Sequence, residues 1–172
     1  MHASVLVAYG TKNGSTAGIA EAVADVLNKA GVTAEALPAA TVPDVKPYGA
    51  VVIGGALYAG HWQRDARRFL GRHRRALAGR PVWLFSSGPL DASASERDIP
   101  PVPGVRRAMI RLDARGHTTF GGCLGEDAEG RLARSIVRGG KGGDFRDFAA
   151  IEAWAAGIAD ELLGLRNAAG AV

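Results

Sequence analysis

Five short apolar runs, each separated from the next by residues at helical spacing, constrain this chain more than any other feature of it. The runs are Ser4 to Tyr9, Val32 to Leu37, Gly49 to Gly55, Pro81 to Ser87 and His117 to Leu124. Three of the five are nearly unbroken Val, Ile, Leu and aromatic residues, the pattern of parallel strands covered on both faces. Between them Ile19, Val23, Val26 and Leu27 share one helical face, as do Phe69, His73 and Leu77. Near the end Ile151, Trp154, Ile158, Leu162 and Leu163 do the same. Strands alternating with helices predict a doubly wound α/β fold. The stretch 91–116, with Asp98-Ile-Pro-Pro-Val-Pro-Gly104 inside it, is too long for a turn and reads as a surface insertion carrying a short helix over Val105 to Leu112. At 172 residues the length suits one domain, and residues 1–172 are expected to form it.

Composition narrows the class. Hydrophobic residues are 47% and charged residues 22%, ordinary for a globular domain. The longest stretch without a charge, Pro47 to Gln63, is interrupted by glycines and is too short and too polar to suggest a spanning helix. No secretory signal is apparent at the amino terminus. Cys123 is the single cysteine, so no internal disulfide can form and a reducing cytoplasm is the expected compartment.

Charge is the unusual quantity. Lys and Arg number 21 against 17 Asp and Glu, and from Arg64 to Arg80 seven arginines stand against one acid, Asp65. The sequence pI is about 9.6. Such a segment either attracts an anionic partner or simply solvates a helix face. Peripheral contact with the inner face of an anionic membrane through Arg64, Arg67, Arg68, Arg72, Arg74 and Arg75 is one expectation. Neither zinc-ligand spacing nor interleaved aromatics accompany the arginines, so no nucleic-acid partner is expected. Self-association is left open.

The loop between the first run and the first helix is Gly10-Thr-Lys-Asn-Gly-Ser-Thr16. A helix leaves its first N–H groups unpaired and partly positive, which makes such a loop a place for an anion. Gly10 and Gly14 permit a tight turn, and Thr11, Asn13, Ser15 and Thr16 carry short hydrogen-bonding side chains. A phosphate fits this chemistry, as does a well-capped turn with no ligand. The spacing is neither that of the P-loop nor that of G-x-G-x-x-G. Gly139 to Asp144 looks like a second cradle but lacks the Gly-Lys-Ser/Thr ending and follows no strand pattern. It reads as a loop before the last helix, which Asp144 or Asp147 would cap.

The segment Thr11 to Thr16 resembles the T-x-T-G-x-T phosphate loop of the flavodoxins and their flavodoxin-like relatives, matching at Thr11, Gly14 and Thr16. The resemblance implies a five-stranded parallel sheet of order 2-1-3-4-5, helices on both faces and FMN at the carboxyl ends of the strands. Two further loops, Gly54 to Trp62 and Ser86 to Asp91, would complete the pocket. More narrowly, Val51 to Leu77, Phe120 to Asp127 and Gly142 to Leu162 are similar to the menaquinone-dependent protoporphyrinogen dehydrogenase branch. Departures are the segment Ser86 to Gly104, poor in Lys and Arg, and one extra residue between Tyr58 and Gly60. They bear on the porphyrin substrate more than on the flavin.

The resemblance implies that Thr11, Lys12, Asn13, Gly14, Ser15 and Thr16 hold the FMN phosphate. Ala56, Leu57, Tyr58, Ala59 and Gly60, with Trp62 beyond them, would cover one face of the ring, and Ser86, Ser87, Gly88 and Leu90 would meet its pyrimidine edge. Flavin chemistry demands no side-chain acid or base, so no catalytic residue is assigned; His61 is a candidate for proton handling. Histidines 2, 61, 73 and 117 show no paired metal-ligand spacing, and no metal is expected. Cys123 is expected to be an inert buried thiol. The function this implies is an FMN-dependent oxidoreductase passing electrons from a reduced organic substrate, such as a porphyrinogen, to a quinone. A flavodoxin-type electron carrier, an NAD(P)H:quinone reductase and a binding module without flavin stand as alternatives. Carriers are generally acidic to match basic reductases, so the basic charge favours the enzyme.

Overall fold

The structure is a computed structural model and describes residues 4–124 and 143–171. In chain order the elements are β1 (Ser4–Gly10), α1 (Ser15–Lys29), β2 (Ala34–Pro38), a 3-10 turn (Ala39–Thr41), β3 (Tyr48–Tyr58), β4 (His61–Trp62), α2 (Arg64–Leu77), β5 (Val82–Ser87), α3 (Ser93–Glu96), α4 (Pro103–Leu112), β6 (Gly116–Phe120), β7 (Cys123–Leu124), β8 (Gly143–Asp144) and α5 (Phe148–Gly170). The main sheet runs β2-β1-β3-β5-β6, all neighbours parallel, with β4 folded back antiparallel on β3. This is the expected 2-1-3-4-5 order, renumbered by the short β4.

Side-chain alternation along the strands builds two cores from one sheet. Val5 and Val7 of β1, Val52 of β3, and Trp83 and Phe85 of β5 point to the face covered by α1 and α5. Leu6 and Ala8, Val51 and Ile53, and Val82 and Leu84 point to the other, covered by α2 and α4. A period of two on a strand buried on both faces therefore appears in the sequence as continuous apolar residues. Helix α1 is held by Ile19, Val23 and Leu27, each fully buried, for roughly 1.5–3 kcal/mol apiece. That exceeds what helix propensity alone supplies. The Phe69, His73 and Leu77 face of α2 is likewise buried, and so are Ile151, Ile158 and Leu162 of α5. Among the described residues no helix is long and apolar enough to cross a membrane.

Four local expectations are corrected. The third strand does not give way to a loop at Gly55. It continues to Tyr58 and returns through Ala59 and Gly60, both at positive φ (48° and 76°), into β4. Two successive positive φ values match the twist of a two-residue hairpin. The fifth strand ends at Phe120, because Gly121 and Gly122 turn the chain: a Cβ on Gly121 would collide with the Phe145 carbonyl. Cys123 is half-buried on the two-residue strand β7 rather than sealed in the sheet. Trp62 is 3% exposed, packed against Gly55, so it is core rather than cover for a ring. The insertion does carry the expected helix, α4, preceded by α3. Of Gly139 to Asp144 only Gly143 and Asp144 lie within the described residues, forming β8, and Gly125 to Asp127 also lie outside them. Asp147, not Asp144, caps α5, accepting from the Ala150 N–H at 3.1 Å.

A buried polar network ties the carboxyl ends of β5 and β6 to the β4 hairpin. Trp62 Nε1 donates to Ser86 Oγ at 2.9 Å, and Ser86 Oγ lies 3.0 Å from His117 Nε2. Burial lowers the His117 pKa from 6.5 to about 4, with Asp98 opposing, so the ring is neutral in its hydrogen bond with the Ser86 hydroxyl. His73 is also held below its ordinary value, first by burial, and its Nε2 has no partner among the described residues.

Two outcomes follow from this packing. A Cβ on Gly54 would fall within the Phe85 ring, which is fully buried. Gly54→Ala should therefore lower the unfolding free energy by about 3 kcal/mol, seen as a lower urea midpoint at unchanged m, as overpacking does. An unaltered midpoint would show that Phe85 has room to move. Because the folded pKa of His117 is depressed, its contribution is complete above about pH 6.5 and is lost as pH falls toward about 4. His117→Asn should flatten the stability decline between those limits by on the order of 2 kcal/mol, after discounting for partial solvent screening. Urea titrations at both pH values check this; an unchanged slope would place the acid sensitivity elsewhere.

Candidate functional site

Parallel pairing places Gly10 beside Gly55, and Ala56 beside Ser87. The β1–α1 loop, the β3–β4 hairpin and the segment after β5 consequently lie along one sheet edge. Side chains then join them. Asn13 Nδ2 donates to the Tyr58 hydroxyl at 3.0 Å, and the Ser15 and Ser87 hydroxyls lie 3.3 Å apart. Ser15 Oγ also accepts from the Cys123 N–H at 2.9 Å. Tyr58 is half-buried, and burial raises its pKa, so it is a neutral phenol.

Within the first loop, Gly14 is the residue before α1, at φ 82°, and offers the helix no side-chain cap. Only a residue tolerant of the left-handed region serves there without strain. Thr11 Oγ1 accepts from the Gly14 N–H at 3.0 Å and closes the loop. No acid occupies the first turn of α1. Helix α2 is different. There Gln63 Oε1 accepts from the N–H groups of Asp65 (2.7 Å) and Ala66 (3.4 Å), so its opening turn is satisfied internally. The end of α1 keeps its partial positive charge for something else. Thr16 Oγ1 sharpens the point: it is buried and has no partner among the described residues. An anion with several acceptor oxygens at this loop meets open N–H groups, threonine hydroxyls and the helix dipole, so the residues present fit a phosphate-bearing cofactor.

The other expected residues divide. Lys12 is exposed at the loop rim, Ala59 and Gly60 are exposed at the hairpin tip, Ala56 is buried, and Leu57 and Leu90 are half-buried. Ser86 is committed to the Trp62 and His117 network. Gly88 gives its N–H to the Phe120 carbonyl at 3.1 Å. Its missing side chain matters at Leu57, which a Cβ would approach to 2.8 Å. His61 is exposed at the start of β4, paired in register with Tyr58. The six arginines expected to meet an anionic surface are all exposed on α2.

Sequence reasoning missed Gln63, because glutamine is not among the favoured caps, and it missed Arg146. The Arg146 guanidinium is gripped by Asp144 (2.7 Å), lies 5.1 Å above the Phe148 ring and reaches the Ser15 carbonyl at 3.5 Å. Their pairing, hydrogen bonds first, lowers the Asp144 pKa and raises that of Arg146. The alternation Asp144-Phe-Arg-Asp147 was the available signal, but nothing in it says that the arginine lies against α1.

Comparison with known proteins agrees with this geometry. A flavodoxin from the domain Archaea superposes with a TM-score of 0.62 at 12% identity, covering 92% of this chain and 97% of that one. A cysteine-to-serine variant of the Pseudomonas aeruginosa flavodoxin gives 0.58 at 17%, covering 91% and 97%. The rubredoxin oxygen:oxidoreductase of Desulfovibrio gigas gives 0.63 at 12%; 94% of this chain is covered, but it spans only 36% of that larger protein. No curated protein sequence matches. The flavodoxin domain family model matches residues 6–139. With that match, the sheet order and the open α1 loop together, the chain belongs to the flavodoxin-domain family, whose cofactor is FMN.

Proposed function

We propose that this chain is an FMN-dependent oxidoreductase similar to the protoporphyrinogen dehydrogenases, taking electrons from a reduced organic substrate and delivering them to a quinone. The observation that carries the flavin assignment is the uncapped start of α1, with the Thr16 hydroxyl buried and unpartnered beside it. Thr11, Asn13, Gly14, Ser15 and Thr16 hold the phosphate in this reading, with Lys12 at the rim. Leu57 and Tyr58 provide apolar and aromatic cover for the ring, and Asn13 fixes the Tyr58 hydroxyl. Ser87, Gly88 and Leu90 shape the third wall. Bound FMN supplies hydride and single-electron transfer, while the protein supplies position and electrostatics. His61, exposed on the hairpin, is the imidazole this reading offers for proton handling.

Charge separates the enzyme from a mobile carrier. A carrier docks transiently on a partner of opposite charge, and the basic surface of this chain suits an anionic substrate or surface better than a basic reductase. The carrier is the second reading, favoured by similar length, since two flavodoxins are each covered over 97% of their chains.

Two measurements test the proposal. Absorbance of the purified protein with added FMN should develop a bound-flavin spectrum that bleaches anaerobically with protoporphyrinogen and recovers with a menaquinone analogue. Bleaching by NAD(P)H instead would favour the quinone reductase, and a bound flavin inert to both would favour the carrier. Thr16→Val should weaken FMN binding about tenfold, near 1.4 kcal/mol. It should leave the flavin-free protein equally or more stable, since a buried orphan hydroxyl is removed. Loss of stability with unchanged FMN affinity would assign Thr16 to the core alone.

A further inference from the structure

A second site lies on the opposite face of the sheet from α1. Helices α2 and α4 diverge over a cavity of about 320 Å³, at the lower end of the range of small-molecule pockets. Trp62, Leu70, Val105 and Leu112 give it an apolar floor, and His61 lines the end toward the β3–β4 hairpin. Four of its thirteen lining residues are arginine, Arg67 and Arg74 from α2 and Arg107 and Arg111 from α4, and none is acidic.

The sequence spacing makes this arrangement regular. On α2 the lining residues are Arg67, Leu70, Gly71 and Arg74; on α4, beside Val105 and Leu112 of the floor, they are Gly104, Arg107, Ala108 and Arg111. Both sets fall at i, i+3, i+4 and i+7, so each helix presents one stripe with arginine on it and small residues within it. The space comes from those small residues. A Cβ built on Gly71 or Gly104 meets nothing within 4 Å. Glycine within a helix costs about 1 kcal/mol relative to alanine, and no crowding at Gly71 requires it. Arg107 and Arg111, four apart, repel each other in the absence of an anion. None of the four arginines is in an ion pair among the described residues.

We infer that the α2–α4 cavity binds an organic anion with a compact apolar body and acidic groups at its rim. The apolar floor removes the body from water, and the arginines offer forked donors matched to carboxylate, sulfonate or phosphate oxygens. A bare inorganic anion would leave the floor unused, and a neutral apolar molecule would leave the arginines unpaired. The lining takes His61 and Trp62 from the β3–β4 hairpin but none of the Thr11 to Thr16 or Ser86 to Leu90 residues.

The probe for this site is 1-anilinonaphthalene-8-sulfonate, with N-phenyl-1-naphthylamine as the neutral molecule of the same body. Titrated by fluorescence into the full-length folded protein at 0.15 M salt, the sulfonate should saturate one site and bind at least tenfold more tightly than the neutral compound. Arg107→Gln should weaken it severalfold. Gly71→Leu, which fills the space and improves helix propensity, should weaken it at least tenfold while holding or raising the melting temperature. Equal binding of the two compounds, or sulfonate binding unchanged in both variants, would overturn the inference. So would sedimentation with phosphatidylglycerol vesicles without saturable sulfonate binding, which would make this face a membrane surface. Uptake of FMN, followed separately by absorbance, must be the same in Gly71→Leu as in the parent. Absence of FMN uptake in the parent would defeat the flavin reading and leave the sulfonate result standing.

Discussion

Parallel pairing of β1, β3 and β5 is the constraint on which the rest depends. Because the three strands run in one direction with β3 in the middle, their carboxyl ends, Gly10, Tyr58 and Ser87, belong to one edge of the sheet. Each strand must then leave that edge through a loop and return along a face as a helix. The loops are thereby adjacent even though Asn13 and Tyr58 are far apart in sequence. The burial of both faces fixes this register, since a slip by one residue would exchange Val5 and Val7 for Leu6 and Ala8 between the two cores.

Once adjacent, the loops are joined by short polar side chains rather than by packing alone. Asn13 reaches Tyr58, Ser15 reaches Ser87 and Cys123, and Ser86 joins Trp62 to His117. Each such bond adds only about 1 kcal/mol, but together they fix the positions of groups that a ligand would meet. The two helix openings show the same logic in contrast. The opening of α2 is closed by Gln63, whereas that of α1 is bounded by Gly14, which has no side chain with which to close it. An open helix end inside a braced frame is organised for an anion before the anion arrives.

Much of this was legible in the sequence for a simple reason. Strands buried on two faces must be apolar throughout, and helices buried on one face must repeat at 3.6, so Val5 to Ala8 and Ile19 to Leu27 announced themselves. The Thr11 to Thr16 loop stood out because glycine and hydroxyl residues gather there between a strand and a helix, a pattern common to anion-binding loops and capped turns. What could not be read depends on partners distant in sequence. Ala59 is not a residue that advertises positive φ, so the hairpin was hidden. Trp62 looked available as a ring cover, but Gly55 makes room for it in the core. That the missing side chain of Gly88 also makes room for Leu57 is visible only in the fold. The arginines of α2 were visible as a charge, while their alignment with those of α4 exists only in the folded chain.

The hairpin joins these two regions. Tyr58 and His61 are partners across its two strands. Tyr58 is bound to the α1 loop through Asn13, and His61 lines the cavity between α2 and α4. Behind them Trp62 is anchored to Ser86 at the end of β5. A molecule seated between the arginine stripes would therefore border the same two-residue turn that borders the flavin loop. Tyr58 and His61 adjoin the turn, with Leu57 and Trp62 paired behind them, and the Tyr58 side chain carries the contact to the α1 loop. The enzyme proposed above needs its cofactor and its substrate within one connected framework, and the hairpin is the element of this fold that borders both regions.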